Sequence, residues 1–395
     1  MRNFKFKRSL TLVAGAALAA SLLVAAPTVA SANPVCDGKF PVQTCGGATS
    51  DGAPYAMMVP ANFNGTVYLY SHGYRPNIAI PAGIPVYGGY TVTNTPQPGP
   101  NATVIGALLA KGYGVVGSGF ARQGWNADSA IKTNVELVGA FKKQFTKTTK
   151  VVAWGESLGG FITQSLAEKH PDLFSAAAPL CMASDVTPLS TMAGDALWGI
   201  KTFFDPTFKA GGYTQPAFAG DTRGYLEFVT DIGKLLTVLN ALATAIAKNP
   251  VTPAWPESAT NVPAALKAIP VRSAILLIGL LTGIPTQSTT YDASSGPAGP
   301  LETTYGVAIS PALAVLENTS TALILGMYAN YDAEMRCGGR VYDNTATDYA
   351  ARLGDNSDVF AAALSGKSAI AGLLAFLNKA NPAAPRVAAS ASAMA

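Results

Sequence analysis

One stretch constrains this chain more than any other. Lys150 to Gly160 reads KVVAWGESLGG, an apolar β-branched run that breaks abruptly into Gly155-Glu156-Ser157-Leu158-Gly159. Such a run reads as a buried strand, and the residues after it have helical spacing, so Ser157 is expected at a sharp strand-to-helix turn. A serine at the tip of that turn presents its Oγ above the sheet edge, while the flanking glycines let the two arms pass closely. The helix start also aims the Leu158 amide at the space beside Ser157, where a tetrahedral oxyanion would develop. G-x-S-x-G alone recurs by chance. The strand before it and the helix after it make it a candidate nucleophile elbow.

The first 32 residues read as a signal peptide: a basic start (Arg2, Lys5, Lys7, Arg8), an apolar run from Leu10 to Ala26, and Ala30-Ser31-Ala32 as the cleavage pattern. Cleavage is expected after Ala32, which predicts a secreted or extracytoplasmic protein with no membrane span after signal removal. The whole chain has 27 Lys+Arg against 23 Asp+Glu, and loss of those four basic residues leaves 23 of each sign. A neutral mature chain gives no electrostatic case for nucleic acid or anionic lipid.

What remains of the 395 residues suits one large α/β domain with an insertion, or two modest domains. Four cysteines in an exported chain suggest two disulfides. Cys36 and Cys45 bracket a short loop and are expected to pair, which would leave Cys181 to join Cys337, or both as buried thiols.

Tyr55 to Pro60 and Thr66 to Ser71 read as strands around a turn at Asn62 to Gly65, with Ser71-His72-Gly73-Tyr74 next. After a Pro- and Gly-rich loop from Arg75 to about Pro100, the pattern predicts a helix over Ala102 to Lys111 and a strand over Tyr113 to Ser118. A helix over Ala127 to Phe145 and the elbow strand come next. The elbow helix should end near His170 and Pro171, before a strand from Phe174 to Cys181. Strands alternating with helices imply an α/β fold with a mostly parallel sheet. From about Ser184 the spacing turns helical, as in Asp231 to Lys248 and Ala264 to Leu281, with Pro, Gly, Ser and Thr clusters between. The run Ile275 to Leu281 is too short to cross a bilayer and reads as a packed helix or as the wall of an acyl or aryl pocket.

Five segments together resemble the α/β-hydrolase superfamily, and more closely exported bacterial serine hydrolases with a large helical insertion. They are SHGY at 71–74, KGYGVVGSGFARQGWN at 111–126, AWGESLGG at 153–160, KHPDLFSAAAPLC at 169–181 and RVYDNTATDYAARLGD at 340–355. The resemblance implies an α/β-hydrolase-type mostly parallel sheet, with residues 33–183 as the first part of the core and 184–375 as a helical cap. Residues 376–395 are then an Ala-rich tail or the start of a missing C-terminal core. By the same resemblance Ser157 is the nucleophile, and the oxyanion amides belong to Leu158 and Tyr74.

Such enzymes need a histidine base and an acid after the nucleophile, and the sequence holds only His72 and His170. His170 lies thirteen residues beyond Ser157 on the same expected helix, roughly 20 Å away at 1.5 Å per residue, and reads as a helix-end residue. His72 belongs to the oxyanion loop. Asp185 comes after the strand beyond the elbow, where some superfamily members carry an acid, but it reads rather as a turn or helix cap. Asp332 imitates a strand-ending acid in surroundings that look helical. No acid is assigned. In the resembling proteins the acid- and base-bearing loops lie further beyond the VYDNT segment than this chain extends, so the expectation is a triad completed past residue 395.

The sequence supports three readings. The first is a serine hydrolase acting on a hydrophobic small-molecule or polymer ester or amide. The second is a truncated pseudohydrolase that binds an apolar ligand, and the third a non-catalytic interaction protein on the same fold. Two isolated histidines and four scattered cysteines provide no metal-ligand spacing. Gly117-Ser118-Gly119 lacks the third glycine of a dinucleotide fingerprint. No cofactor and no metal are expected.

Overall fold

The computed structural model describes residues 33–390, except 40, 184–185, 289–299, 307–308, 357–359, 362, 380 and 383. The expected signal segment, Asp185 and the last five residues lie outside the described residues.

A seven-stranded mixed sheet forms the core: β1 Val35–Cys36, β2 Val42–Ala48, β3 Pro54–Pro60, β4 Thr66–Ser71, β5 Gly114–Ser118, β6 Lys150–Glu156 and β7 Ala176–Leu180, in the order β1-β2-β3-β5-β4-β6-β7. Strands β5, β4, β6 and β7 pair in parallel. The ladders β1–β2, β2–β3 and β3–β5 are antiparallel. Although β3 and β4 are consecutive, they are not partners, because β5 inserts between them. All of β5 is buried, the pattern of a central strand covered on both faces. In β3 the residues Tyr55, Met57 and Val59 alternate inward, as a pleated strand requires.

Helices α2 (Ala127–Gln144) and α3 (Leu158–Lys169) cover one face. Leu137, Val138 and Phe141 of α2 and Ile162 and Leu166 of α3 pack with Val67, Leu69, Val116 and Val151 of the strands. Helix α1 (Ala102–Ala110) starts at Asn101, whose side chain accepts a hydrogen bond from the Val104 amide. Strand β7 is an outer strand, and its side chains are exposed or half-exposed.

The remaining helices are α4 (Val186–Phe203), α5 (Arg223–Lys248), α6 (Ala264–Lys267), α7 (Arg272–Thr282), α8 (Pro300–Tyr305), α9 (Ser310–Cys337), α10 (Tyr349–Leu353) and α11 (Lys367–Asn378). They build a second core. Every residue of α7 except Leu280 is buried, so its apolar run is the centre of this cap. The expected continuous helix from Ala264 to Leu281 is broken: α6 ends at Lys267 and α7 restarts after Pro270, which has a fixed φ and no N–H to continue a helix. Helix α5 begins at Arg223, earlier than the expected Asp231. Helices α5 and α9 have the length and apolarity of a membrane span. Here Phe228, Ile232 and Leu235 of α5 share one buried cluster with Ile324, Met327 and Tyr328 of α9, and the core helix of a globular protein has the same composition.

Near the C-terminus, Val387 exchanges hydrogen bonds with Asn344, its amide reaching Asn344 Oδ1 at 2.7 Å. The Trp198 indole N–H donates to Pro385 O at 3.1 Å, so this part of the tail lies on the cap.

Cys36 and Cys45 face each other across β1 and β2 and are bonded. The Cys181–Cys337 pairing is not formed: both thiols are free. Cys181 is exposed just past the outer strand β7, whereas Cys337 ends α9, where the neighbouring Arg336 anchors the helix to Trp125 O and Asp128.

Candidate active site

Ser157 occupies the single residue between β6 and α3, at φ 56° and ψ −120°. Positive φ costs an L-residue roughly 1–3 kcal/mol, so the surroundings must hold it there. The Ser157 amide donates to Leu180 O at 3.0 Å, and the Ser157 carbonyl accepts from the amides of Phe161 (3.1 Å) and Ala183 (3.4 Å). The glycines are sterically required. A Cβ on Gly155 would stand 2.4 Å from Ser71 O, and one on Gly159 would stand 1.9 Å from the same atom. Ser157 itself is exposed. This is the geometry that the spacing predicts.

The end of β4 and the loop after it form the neighbouring wall. Ser71 is buried and its hydroxyl accepts from Asn134 Nδ2 of α2 at 3.0 Å. Gly73 lies against the elbow, since a Cβ there would meet Ser157 Cβ at 3.7 Å and Glu156 O at 3.5 Å, ordinary contact distances. Tyr74 is the next residue, so the segment expected to supply a second oxyanion amide flanks Ser157. Leu158 opens α3, and the first N–H groups of a helix have no partner within it.

His72 is buried, with Nδ1 2.7 Å from Gly73 O and its ring 4.6 Å from that of Phe120. Burial first, and the Arg75 charge second, pull its pKa down to about 4, so the ring is neutral at pH 7. His170 caps the far end of the twelve-residue α3, roughly 18 Å along the axis from the elbow. His170 is therefore far from Ser157, whereas the His72 backbone belongs to the loop packed against the elbow. Glu156 accepts from the Tyr70 hydroxyl at 3.0 Å, and burial followed by that bond raises the Tyr70 pKa.

Asp332 is not at a strand end but inside α9, with its side chain fully buried. It accepts from Asn77 Nδ2 (2.6 Å) and from the Trp125 amide (2.5 Å), with Arg122 at 3.8 Å. A Cβ on Gly124 would stand 2.4 Å from its carboxylate, so the loop closes around it. Burial raises its pKa, against those donors and charges. The carboxylate thus ties the cap to the loop after Tyr74 and to the loop before α2. Sequence reasoning missed this role. Among the described residues no group of three or more His, Cys, Asp or Glu side chains is arranged to hold a metal ion.

Residues 113–207, from the start of β5 through the elbow to the end of α4, match the prolyl oligopeptidase family. This is an α/β-hydrolase core. Solved structures similar to it include a rice cell wall degrading esterase, LipA from Xanthomonas oryzae, at 17% identity and TM-score 0.25, over 40% of this chain and 45% of that one. Feruloyl esterase B from Aspergillus oryzae is 13% identical with TM-score 0.31, over 82% of this chain and 60% of that one. Oligopeptidase B from Trypanosoma brucei is 14% identical with TM-score 0.24, over 37% of this chain and 20% of that one. The chain spans 45% of that LipA structure and 20% of oligopeptidase B, and 68% of LipA in a ligand-bound form. No curated protein matches the chain.

Proposed function

We propose that this protein is an exported serine hydrolase that cleaves an ester or amide with a hydrophobic acyl or aryl group, through an acyl-enzyme on Ser157. One observation carries the reading: an exposed serine held at positive φ between β6 and α3, with Gly73 packed against it. In this scheme Ser157 Oγ attacks the carbonyl carbon, and the amides of Leu158 and Tyr74 hold the oxyanion. Collapse breaks the bond to the alcohol or amine, which leaves with the serine proton, and water then cleaves the acyl ester. Export is supported by the Cys36–Cys45 disulfide together with the N-terminal signal pattern.

His170 is a helix length away and out of reach of the Ser157 proton, and burial leaves His72 a weak base, its pKa pulled down to about 4. Turnover by these 395 residues should therefore rest on oxyanion stabilisation and substrate placement, on the order of 10³- to 10⁴-fold above water. The same placement of the histidines favours a second reading, a pseudohydrolase that binds apolar esters without turning them over.

The test uses residues 33–395 with a fluorophosphonate probe and p-nitrophenyl esters. Slow labelling and slow ester cleavage that both vanish in Ser157→Ala are expected. Labelling that persists in Ser157→Ala removes Ser157 from the mechanism, and ester binding with no labelling favours the second reading.

A further inference from the structure

The cap carries an open cavity of about 510 Å³ between the start of α4, the end of α7 and α10. That volume is within the range of small-molecule sites. Pro188, Thr191 and Met192 of α4 and Leu281 of α7 form half of its wall, and Arg352 of α10 is the charged residue on it. Among the described residues no acidic side chain lines it.

Arg352 is held from behind. Its Nη1 meets the carboxylate of Asp195, whose side chain is fully buried, while about a third of the Arg352 side chain stays exposed. Asp195 is itself fixed by the hydroxyls of Tyr342 (2.5 Å) and Tyr349 (2.6 Å). Tyr349 stacks on Trp198, with ring centroids 5.5 Å apart and planes 8° from parallel, and the Arg352 guanidinium lies over its ring. A guanidinium anchored through one nitrogen keeps further N–H donors for a second, planar anion without paying to immobilise its long side chain.

The groove also lies close to the elbow. Thr187 on its rim is four residues past Ala183, whose amide meets Ser157 O. A chain spans at most about 3.6 Å per residue, so the rim is within roughly 15 Å of Ala183.

We propose that this groove binds a carboxylate carried on an apolar body, with the carboxylate on the Arg352 guanidinium and the hydrocarbon against Pro188, Met192 and Leu281. As a subsite for an acidic substrate or for the acid released, it rests on the hydrolase reading above; as a binding site it does not.

Titration calorimetry with decanoate, decyltrimethylammonium and octyl glucoside, on the wild type and on Ser157→Ala, tests it. Decanoate should bind both proteins equally and at least tenfold more tightly than the cationic analogue. Thr191→Trp, which fills the groove from a half-exposed position, should abolish decanoate binding. Arg352→Gln paired with Asp195→Asn, which removes both charges so that neither is left buried alone, should weaken decanoate about tenfold to hundredfold and leave octyl glucoside unchanged. Equal affinity for the three head groups, or decanoate binding indifferent to Thr191→Trp, overturns the proposal. Ser157-dependent ester cleavage without decanoate binding would sink the groove and leave the hydrolase reading intact, and the converse result would do the reverse.

Discussion

His72 should make this protein acid-sensitive in a way that one substitution removes. The unfolded chain binds a proton at the ordinary histidine pKa of 6.5, whereas in the folded state burial and Arg75 hold the value down to about 4. A depressed folded pKa contributes stability that is present above pH 6.5 and is lost as pH falls towards 4. Across the whole window the loss is about 3 kcal/mol, and between pH 7 and pH 5 it is about 1.8 kcal/mol. Asparagine at position 72 keeps a donor for Gly73 O and cannot titrate in this range. Urea unfolding of the wild type and His72→Asn at pH 7, 6 and 5 should therefore diverge, and with a slope of about 3 kcal/mol/M the wild-type midpoint should fall by roughly 0.6 M more. Because burial is the larger cause, Arg75→Gln should recover only a minor part of that difference. Parallel pH dependences for wild type and His72→Asn would refute the desolvated, neutral imidazole. They would also reopen His72 as a base for Ser157.

Gly159→Ala should cost more than about 3 kcal/mol or abolish soluble expression, because its Cβ would stand 1.9 Å from backbone at Ser71. Gly106→Ala, in α1 with open space around the new methyl, should instead stabilise by about 0.5–1 kcal/mol; equal effects at the two sites in thermal melts would contradict the close approach at the elbow. Asp332→Ala strands the Trp125 amide and Asn77 without their acceptor and should cost about 2–4 kcal/mol, whereas Asp332→Asn keeps one acceptor and should cost less. Urea midpoints unchanged in both variants would show that the tie between cap and core is not an energetic one.

The parallel strands were legible because strands covered on both faces must be continuously apolar, as Val115-Val116 and Val151-Val152 are, and because glycine or proline punctuates their ends. Strand β2 was not, since VQTCGGA has neither apolar alternation nor a β-branched run; it owes its conformation to its ladder with β3. The turn at Ser157 was legible because only small neighbours permit that backbone path. The break at Pro270 was overridden by the apolar spacing around it, although the missing N–H is a local property. Composition counted four cysteines but carried nothing on where the ends of β7 and α9 would lie, so it did not exclude the pairing of Cys181 with Cys337. The anchoring of Asp332 was out of reach for a similar reason: its partner Asn77 is 255 residues away, and no local pattern encodes a contact of that span.

That span has a consequence in time. The loop after Tyr74 is finished only when α5 and α9 arrive, because Tyr225 donates to Ala79 O, Tyr328 packs on Tyr87, and Asp332 receives Asn77. At about 5–20 residues per second, a ribosome that has made Asn77 reaches Asp332 roughly 13–50 s later. The sheet and the serine turn can form long before then from segments already made, while the wall beside Ser157 waits. The nascent protein therefore passes through a stage with its serine in place and the neighbouring loop unanchored, and the site closes only once α9 has been synthesised.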